Sequence, residues 1–132
     1  MSVHHVPEGF HAVTPYLTVR GAARLLEFVK QAFGATEFHP PTLADGVIRY
    51  AAVRIGDSVI EMSEANDRWG PMPAALHLYL PDCDAAYRRA IDAGAESLHE
   101  PMDMEYGERG AAIRDTAGNN WYIATHTGRG PS

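Results

Sequence analysis

The sequence predicts an α+β fold in which two βαβββ modules form a half-open eight-stranded barrel, or cup, with the helices outside. Two internal matches carry this prediction. The pattern Arg-x-Ala-Ala-[Val/Ile]-Arg occupies residues 49–54 and recurs sixty positions later at residues 109–114. Residues 34–41 match residues 94–101 at the same offset, since both begin with Gly-Ala and end with Pro. Two matches at one offset indicate a duplicated supersecondary unit rather than two strands of similar composition.

The first module is predicted to span about residues 11–64, after a loosely held arm over residues 1–10. Its first strand covers residues 12–19, because apolar and mixed positions alternate there. A helix follows over residues 21–33, where apolar residues form one stripe, and Gly34 ends it. Three further strands are predicted at residues 36–39, 47–55 and 59–63.

The second module is predicted to span about residues 74–126 and repeats this order after a linker that contains Gly and Pro. Leucines alternate with other residues at 76–80, and Asp82 suits the N-cap of a helix. That helix has the stripe spacing of the first and ends at Gly94. Strands are predicted at residues 96–99, 108–114 and 120–126. Together the modules make one domain of ordinary size over residues 1–132.

Composition and charge limit the possible functions. Apolar residues make up 45% and charged residues 21% of the chain, as in soluble globular proteins. A net charge of −6 without any basic run argues against nucleic acid as a partner. No apolar run is long enough for a membrane span, and the N-terminus lacks the apolar segment of a signal peptide. The single cysteine, Cys83, fits a helix core in a reducing cytoplasm.

The mixed faces of the predicted strands would line the cup. Aromatic rings with a few polar groups between them suit a planar or partly aromatic organic ligand. The alternative is that the tyrosine rings fill the barrel and leave no space for a ligand. The candidate binding residues are Thr14, Tyr16, Thr18, Glu61, Ser63, His77, Tyr79, Asn120 and Tyr122, with Tyr50, Trp69 and Tyr106 closing the rim.

Other charged and reactive groups receive simpler interpretations. The four arginines of the repeated pattern either attract an anionic ligand or are solvated and paired residues of the outer strands. No glycine motif for phosphate binding and no nucleophile elbow occurs. The simplest interpretation of the acidic residues Asp103, Glu105 and Glu108 is a solvated loop.

Several motifs resemble the glyoxalase/bleomycin-resistance/dioxygenase group, also called the vicinal oxygen chelate superfamily, and within it the PhnB-like branch. The resemblance covers about residues 10–126 and implies the paired βαβββ fold and a homodimer. It does not fix an activity, because the fold carries several chemistries. The matching motifs are residues 14–19, 27–28, 32–35, 55–58, 76–79, 106–109 and 114–121.

The resemblance also implies where a metal would be bound. Metal-dependent members are expected to place ligands at positions that correspond to Thr14, Glu61, Ala75 and Tyr122. Only Glu61 is a usual ligand, whereas an open metal site needs about three. We therefore expect a metal-free protein. A divalent metal at Glu61 and His77 is the alternative, since His77 lies two residues from Ala75 on the same strand face.

Two functions remain open at this stage. The first is a metal-free binding protein that holds a small organic molecule, such as an antibiotic or toxin, and acts as a homodimer. The second is an enzyme, a glyoxalase- or dioxygenase-like lyase or isomerase, with Glu61 as catalytic base or metal ligand. The incomplete set of metal ligands favours the first.

Overall fold

The computed structural model describes residues 3–128, so both ends of the predicted domain, residues 1–2 and 129–132, lie outside the described residues. The first module contains β1 (Tyr16–Val19), α1 (Ala22–Phe33), β2 (Thr36–Ala44), β3 (Val47–Ile55) and β4 (Ser58–Glu64). The second contains β5 (Ala75–Tyr79), α2 (Cys83–Asp92), β6 (Glu96–Met104), β7 (Glu108–Arg114) and β8 (Asn120–His126). The prediction of an α+β fold with two βαβββ modules is confirmed.

Each module forms its own four-stranded sheet. The strand orders are β1-β4-β3-β2 and β5-β8-β7-β6. β1 and β5 run parallel to the last strand of their module, and the other neighbouring strands are antiparallel. In the described part of the chain no strand ladder joins the two sheets, so the barrel is half-open, as predicted. No helix within residues 3–128 is long and apolar enough to cross a membrane.

One apolar core joins the two modules. Leu25 and Phe28 of α1 and Ala86 of α2 are at most 2% exposed, and the two helices pack against each other. Trp121 of β8 lies against Phe33 of α1, with 4.8 Å between the ring centroids. The helices cover one side of each sheet, and the mixed side of each sheet is left open.

The repeated pattern lies in equivalent strands, β3 and β7. Ala51 and Ala52 are 1% exposed, and Ala111 and Ala112 are no more than 2% exposed. Ala52 pairs with Glu61 across the ladder, and Ala112 pairs in the same way with Tyr122. The repeat therefore records a structural need for small buried side chains in the third strand of each module.

Three strand boundaries differ from the prediction by more than one residue, and all lie near prolines. β6, predicted to end at residue 99, continues through Pro101 to Met104. β1 begins at Tyr16 rather than at residue 12, since Pro15 has no N–H to donate to a ladder, although its carbonyl accepts from the Glu61 amide at 2.9 Å. β2 continues through Pro40 and Pro41 to Ala44. It can do so because it is an edge strand and its pairing with β3 shifts register there.

Each helix begins on a side chain from the last strand of its own module. Gly21, the N-cap of α1, has no side chain to cap with, and the Glu64 carboxylate accepts from the amides of Gly21 at 3.0 Å and Ala22 at 2.9 Å. In the second module Thr125 Oγ1 accepts from the Cys83 amide at 2.8 Å. These contacts satisfy N–H groups that have no partner inside the helix. The predicted N-cap of α2 is confirmed, because the side chain of Asp82 accepts from the Ala85 amide.

A buried aspartate organises the turn between β7 and β8. The Asp115 carboxylate accepts from the amides of Ala117 and Asn119, from Asn119 Nδ2 and from Trp121 Nε1, at 2.7–3.0 Å. Asn119 Oδ1 in turn accepts from the Ala74 amide at 2.9 Å, just before β5. The motif over residues 114–121 is thus explained by turn geometry and core packing.

Replacing Glu64 with alanine should destabilise the protein by about 1–2 kcal/mol, because two amides at the start of α1 lose their acceptor. Urea unfolding followed by circular dichroism measures this loss. The matched control is Glu27→Ala, which removes an exposed carboxylate from α1 and should cost less than about 0.5 kcal/mol. Equal losses in the two variants would show that Glu64 does not act as a cap.

Candidate functional site

The open side of each sheet carries the predicted site residues. Face one consists of Tyr16, Thr18, Tyr50, Glu61 and Ser63. Face two consists of His77, Tyr79, Glu108, Gly110 and Tyr122. Strand register fixes these sets, because Tyr16 pairs with Glu61, Thr18 with Ser63 and His77 with Tyr122. The structure therefore divides the predicted residues between two faces, one on each module.

The aromatic rings of these faces are accessible. Tyr16 is 50% exposed, Tyr79 58% and Tyr122 42%. A ring that filled a closed barrel would be covered on both sides, so the described chain does not show the filled arrangement considered above. Half-exposed rings instead leave apolar area to which another molecule can bind.

On face one, Tyr50 and Glu61 form a hydrogen-bonded pair. The Tyr50 hydroxyl donates to Glu61 Oε2, and the His39 ring stacks on the Tyr50 ring with 5.6 Å between centroids. Burial, and then the hydrogen bond to Glu61, raises the pKa of Tyr50 to about 12. The hydroxyl therefore remains a donor at neutral pH. Tyr50, predicted at the rim, lies beside Glu61 instead.

The N-terminal arm, residues 3–14, packs over the Tyr50–Glu61 pair. Phe10 contacts Phe38 edge to face, with 5.1 Å between centroids. Gly9 lies so close to Phe38 and Arg54 that a β-carbon there would come within 2.8 Å of both side chains. The prediction of a loosely held arm over residues 1–10 is wrong for Gly9 and Phe10, because both pack against Phe38.

Beneath this arm is a cavity of about 430 Å³. Thr14, one of the predicted binding residues, contributes to its wall, and its hydroxyl donates to the His11 carbonyl at 3.4 Å. Tyr50 and Glu61 form another part of the wall, together with His5. The arm therefore supplies side chains to the space in front of Glu61.

Trp69 lies at the edge of face one, as the predicted rim position requires. Its amide donates to Asn66 Oδ1 at 2.8 Å, within a turn that holds the linker, and its side chain is 62% exposed. A second cavity, of about 330 Å³, is lined by Tyr16, Thr18, Ser63 and Trp69. Two aromatic rings and two hydroxyls thus surround one space.

On face two, aromatic rings surround a smaller cavity of about 130 Å³. The rings of His77 and Tyr79 stack at 4.6 Å, and Tyr122 approaches His77 edge to face at 6.3 Å. Tyr106, a predicted rim residue, also lines this cavity. Four of the five predicted residues of the second module are therefore neighbours in space, and the fifth, Asn120, accepts from Arg114 Nε at 3.2 Å.

Glu108 also lines this cavity, although the sequence predicts it in a solvated loop. Its side chain is only 8% exposed, and its Oε2 lies 3.2 Å from His77 Nε2. The strand predicted over residues 108–114 is confirmed, and the interpretation of Glu108 as solvated is wrong, because strand alternation turns it toward the same face as Gly110. Asp103 and Glu105 are exposed, as predicted. The burial of Glu108 could have been predicted from the alternation over residues 108–112, since Gly110 and Ala112 lie on the same face and leave room for a carboxylate.

Two other interpretations can be compared with the structure. Arg109 forms a two-pronged ion pair with Asp84 at 2.9 and 3.0 Å, which raises the pKa of Arg109 and lowers that of Asp84. Arg114 contacts Glu96 at 3.2 Å. Arg109 and Arg114 are therefore paired residues of the strands, which is one of the two alternatives that the sequence left open.

Cys83 is buried, as expected for a core residue, and burial raises the pKa of its thiol to about 11.

The residues at the expected metal positions do not fit a metal site. Glu61 is the one usual ligand among Thr14, Glu61, Ala75 and Tyr122, and it accepts from Tyr50. His77 and Glu61 line different cavities. Within residues 3–128, no three His, Cys, Asp or Glu side chains are grouped so that they could hold a metal ion. No step of a reaction can therefore be derived through a metal.

Known proteins share this sequence pattern. A sequence profile of the Glyoxalase/Bleomycin resistance protein/Dioxygenase superfamily matches residues 4–123. An uncharacterized protein of Mycobacterium bovis is 32% identical over 123 residues, which cover 85% of this chain and 81% of that protein. An uncharacterized protein of Mycobacterium tuberculosis has the same identity, with 85% and 72% covered.

Solved structures share the fold. TioX from Micromonospora sp. ML1 superposes with a TM-score of 0.71 at 20% identity, covering 87% of this chain and 99% of TioX. The fosfomycin resistance protein FosX from Mesorhizobium loti gives 0.64 at 18% identity, with 89% and 92% covered. Identities this low show the fold alone. The PhnB-like branch stays a prediction, but the profile match and the relatives at 32% identity settle the family: the chain belongs to the Glyoxalase/Bleomycin resistance protein/Dioxygenase superfamily.

Proposed function

We propose that this chain is a metal-free binding protein that holds a planar organic ligand against the aromatic side chains of its two open sheet faces. The observation that carries the proposal is the half-exposure of Tyr16, Tyr79 and Tyr122 beside hydrogen-bonding groups. Flat rings with polar atoms at their edges bind flat molecules by stacking and by a few directed hydrogen bonds. The name of FosX, a fosfomycin resistance protein, supports a role in sequestering an antibiotic or toxin, as an analogy from the fold.

We also propose that the protein acts as a cytoplasmic homodimer. Several large apolar side chains on and near the two faces are exposed, among them Trp69, Tyr79 and Met102. A second copy would cover part of this area and deepen both faces into cups. The single free thiol, Cys83, suits a reducing compartment.

Catalysis by Glu61 is the second candidate function. Glu61 faces a cavity of about 430 Å³, where a carboxylate could accept a proton from a bound molecule. The Tyr50 hydroxyl, however, already donates to one of its oxygens. Binding is therefore the better supported function.

The neutral planar alcohol 2-naphthylmethanol should bind the purified protein measurably, and the saturated alcohol 2-decalylmethanol should bind at least about tenfold more weakly, because it cannot stack. Isothermal titration calorimetry measures both. The double variant Tyr79→Leu, Tyr122→Leu should weaken naphthylmethanol by at least about tenfold. Tyr87→Leu is the control, since Tyr87 lies on α2 and bonds Ser97 rather than a face. Equal binding of the two alcohols would contradict the proposal.

Removal of metal should change nothing. Treatment with a chelator, followed by dialysis, should leave the melting temperature of the protein unaltered, because no metal contributes to the stability of the native state. Elemental analysis of the purified protein should find far less than one transition metal per chain. About one tightly held metal per chain, with a lower melting temperature after chelation, would contradict the proposed metal-free state.

Light scattering on a sizing column should give about twice the chain mass of 14.4 kDa at micromolar concentration, because the exposed rings are covered in a dimer. Replacing Trp69 and Met102 with serine should shift the protein toward the monomer. A monomer at every concentration of the parent protein would contradict the homodimer.

A further inference from the structure

Glu108 is a buried acid whose polar neighbours are a histidine and a tyrosine. Its side chain is 8% exposed, and the nearby His77 Nε2, at 3.2 Å, is a charged partner only when the ring is protonated. The facing residue across the strand ladder is His126. Among the described residues, no Lys or Arg forms an ion pair with Glu108. Burying a carboxylate is costly unless a positive charge or several donors approach it.

Aromatic rings surround this carboxylate. Tyr106 and Tyr122 line the same cavity of about 130 Å³ as Glu108 and His77, and the Tyr79 ring stacks on the His77 ring. Partial desolvation, then the Glu108 charge and a side-chain hydrogen bond to Glu108, raise the pKa of Tyr79. Ring faces attract cations, and an acid at the base of a ring cluster adds a charge-assisted hydrogen bond to that attraction.

Comparison of the two modules shows that space beside the acid is kept free. Gly110 occupies the place in β7 that Tyr50 occupies in β3, because both are the second residue of the repeated pattern. On face one, Tyr50 fills that place and donates to Glu61. On face two, Gly110 has no side chain that could donate to Glu108, and a β-carbon there would lie 3.5 Å from both Glu108 Oε2 and Met104 Cγ. Face two therefore lacks a counterpart of Tyr50, and its acid has His77 and Tyr79 as polar neighbours instead.

We propose that face two selects organic cations, and that Glu108 binds the ammonium or amidinium group of a ligand whose flat ring lies on Tyr79 and Tyr122. This inference rests on the proposed function and names its ligand class. The ring stays on the exposed tyrosines, and the cationic group enters the small cavity. The net charge of −6 favours the approach of such a ligand.

Three naphthalene probes of similar shape test this assignment: 2-naphthylmethylammonium, 2-naphthylmethanol and 2-naphthylacetate. Calorimetry at about pH 8, where an ordinary imidazole is neutral, compares them on the full-length protein. The cation should bind at least about tenfold more tightly than the alcohol, and the anion more weakly than either. Glu108→Gln should remove the advantage of the cation over the alcohol. The control Glu105→Gln, which removes the same charge from an exposed position nearby, should keep the advantage.

The outcomes separate the two proposals. If the alcohol and the cation bind the parent protein equally, or if Glu108→Gln keeps the preference, the assignment to Glu108 is wrong and planar binding stands. If none of the three probes binds the parent protein, both proposals are wrong. Should Glu108→Gln bind no probe because it is misfolded, Gly110→Leu decides. The leucine side chain would fill the space beside Glu108 Oε2, so this variant must lose the preference for the cation if the assignment is correct.

Discussion

A four-stranded sheet with a single helix can bury only one of its faces, and this constraint governs the whole molecule. The apolar stripes of α1 and α2 cover the helix-facing side of each sheet and join into one core, in which Trp121 contacts Phe33. Strand alternation then places every second residue on the open side, where nothing in the described chain covers the sheet completely. The candidate site is a direct result of this arrangement, since the large side chains on that face, such as Tyr16 and Tyr122, stay about half exposed.

The two modules share a framework and differ in what it presents. The alanines of the repeated pattern occupy equivalent buried positions, and the last strand caps the helix in both modules, through Glu64 in one and Thr125 in the other. The outer faces have diverged. Glu61 and Tyr122 lie opposite equivalent alanines, so one module presents an acid where the other presents a ring. Duplication with divergence gives one chain two chemically different surfaces.

Periodicity and the repeat were enough to predict the elements and their order, because burial imposes the alternation that the sequence displays. Strand ends were harder, since Pro15 and Pro40 act on local hydrogen bonds that depend on whether a strand is at an edge. The site was predicted in part. Most of its rings lie on predicted strands, but Glu108 was interpreted as solvated, because its burial depends on His77, which is distant in the sequence, and on the small neighbour Gly110. The hydrogen bond between Tyr50 and Glu61 was not predicted either, because it depends on the register between β3 and β4.

The capping of α1 by Glu64 has a consequence for how the chain acquires its structure during synthesis. The carboxylate lies 42 residues beyond the Ala22 amide that it accepts from. While the ribosome is still making β2 and β3, the first turn of this helix lacks its acceptor, and the nascent helix end stays frayed. Completion of β4 closes the first module in one step. The shared core is completed last, because Phe33 of module one packs on Trp121, which lies in the last strand of module two.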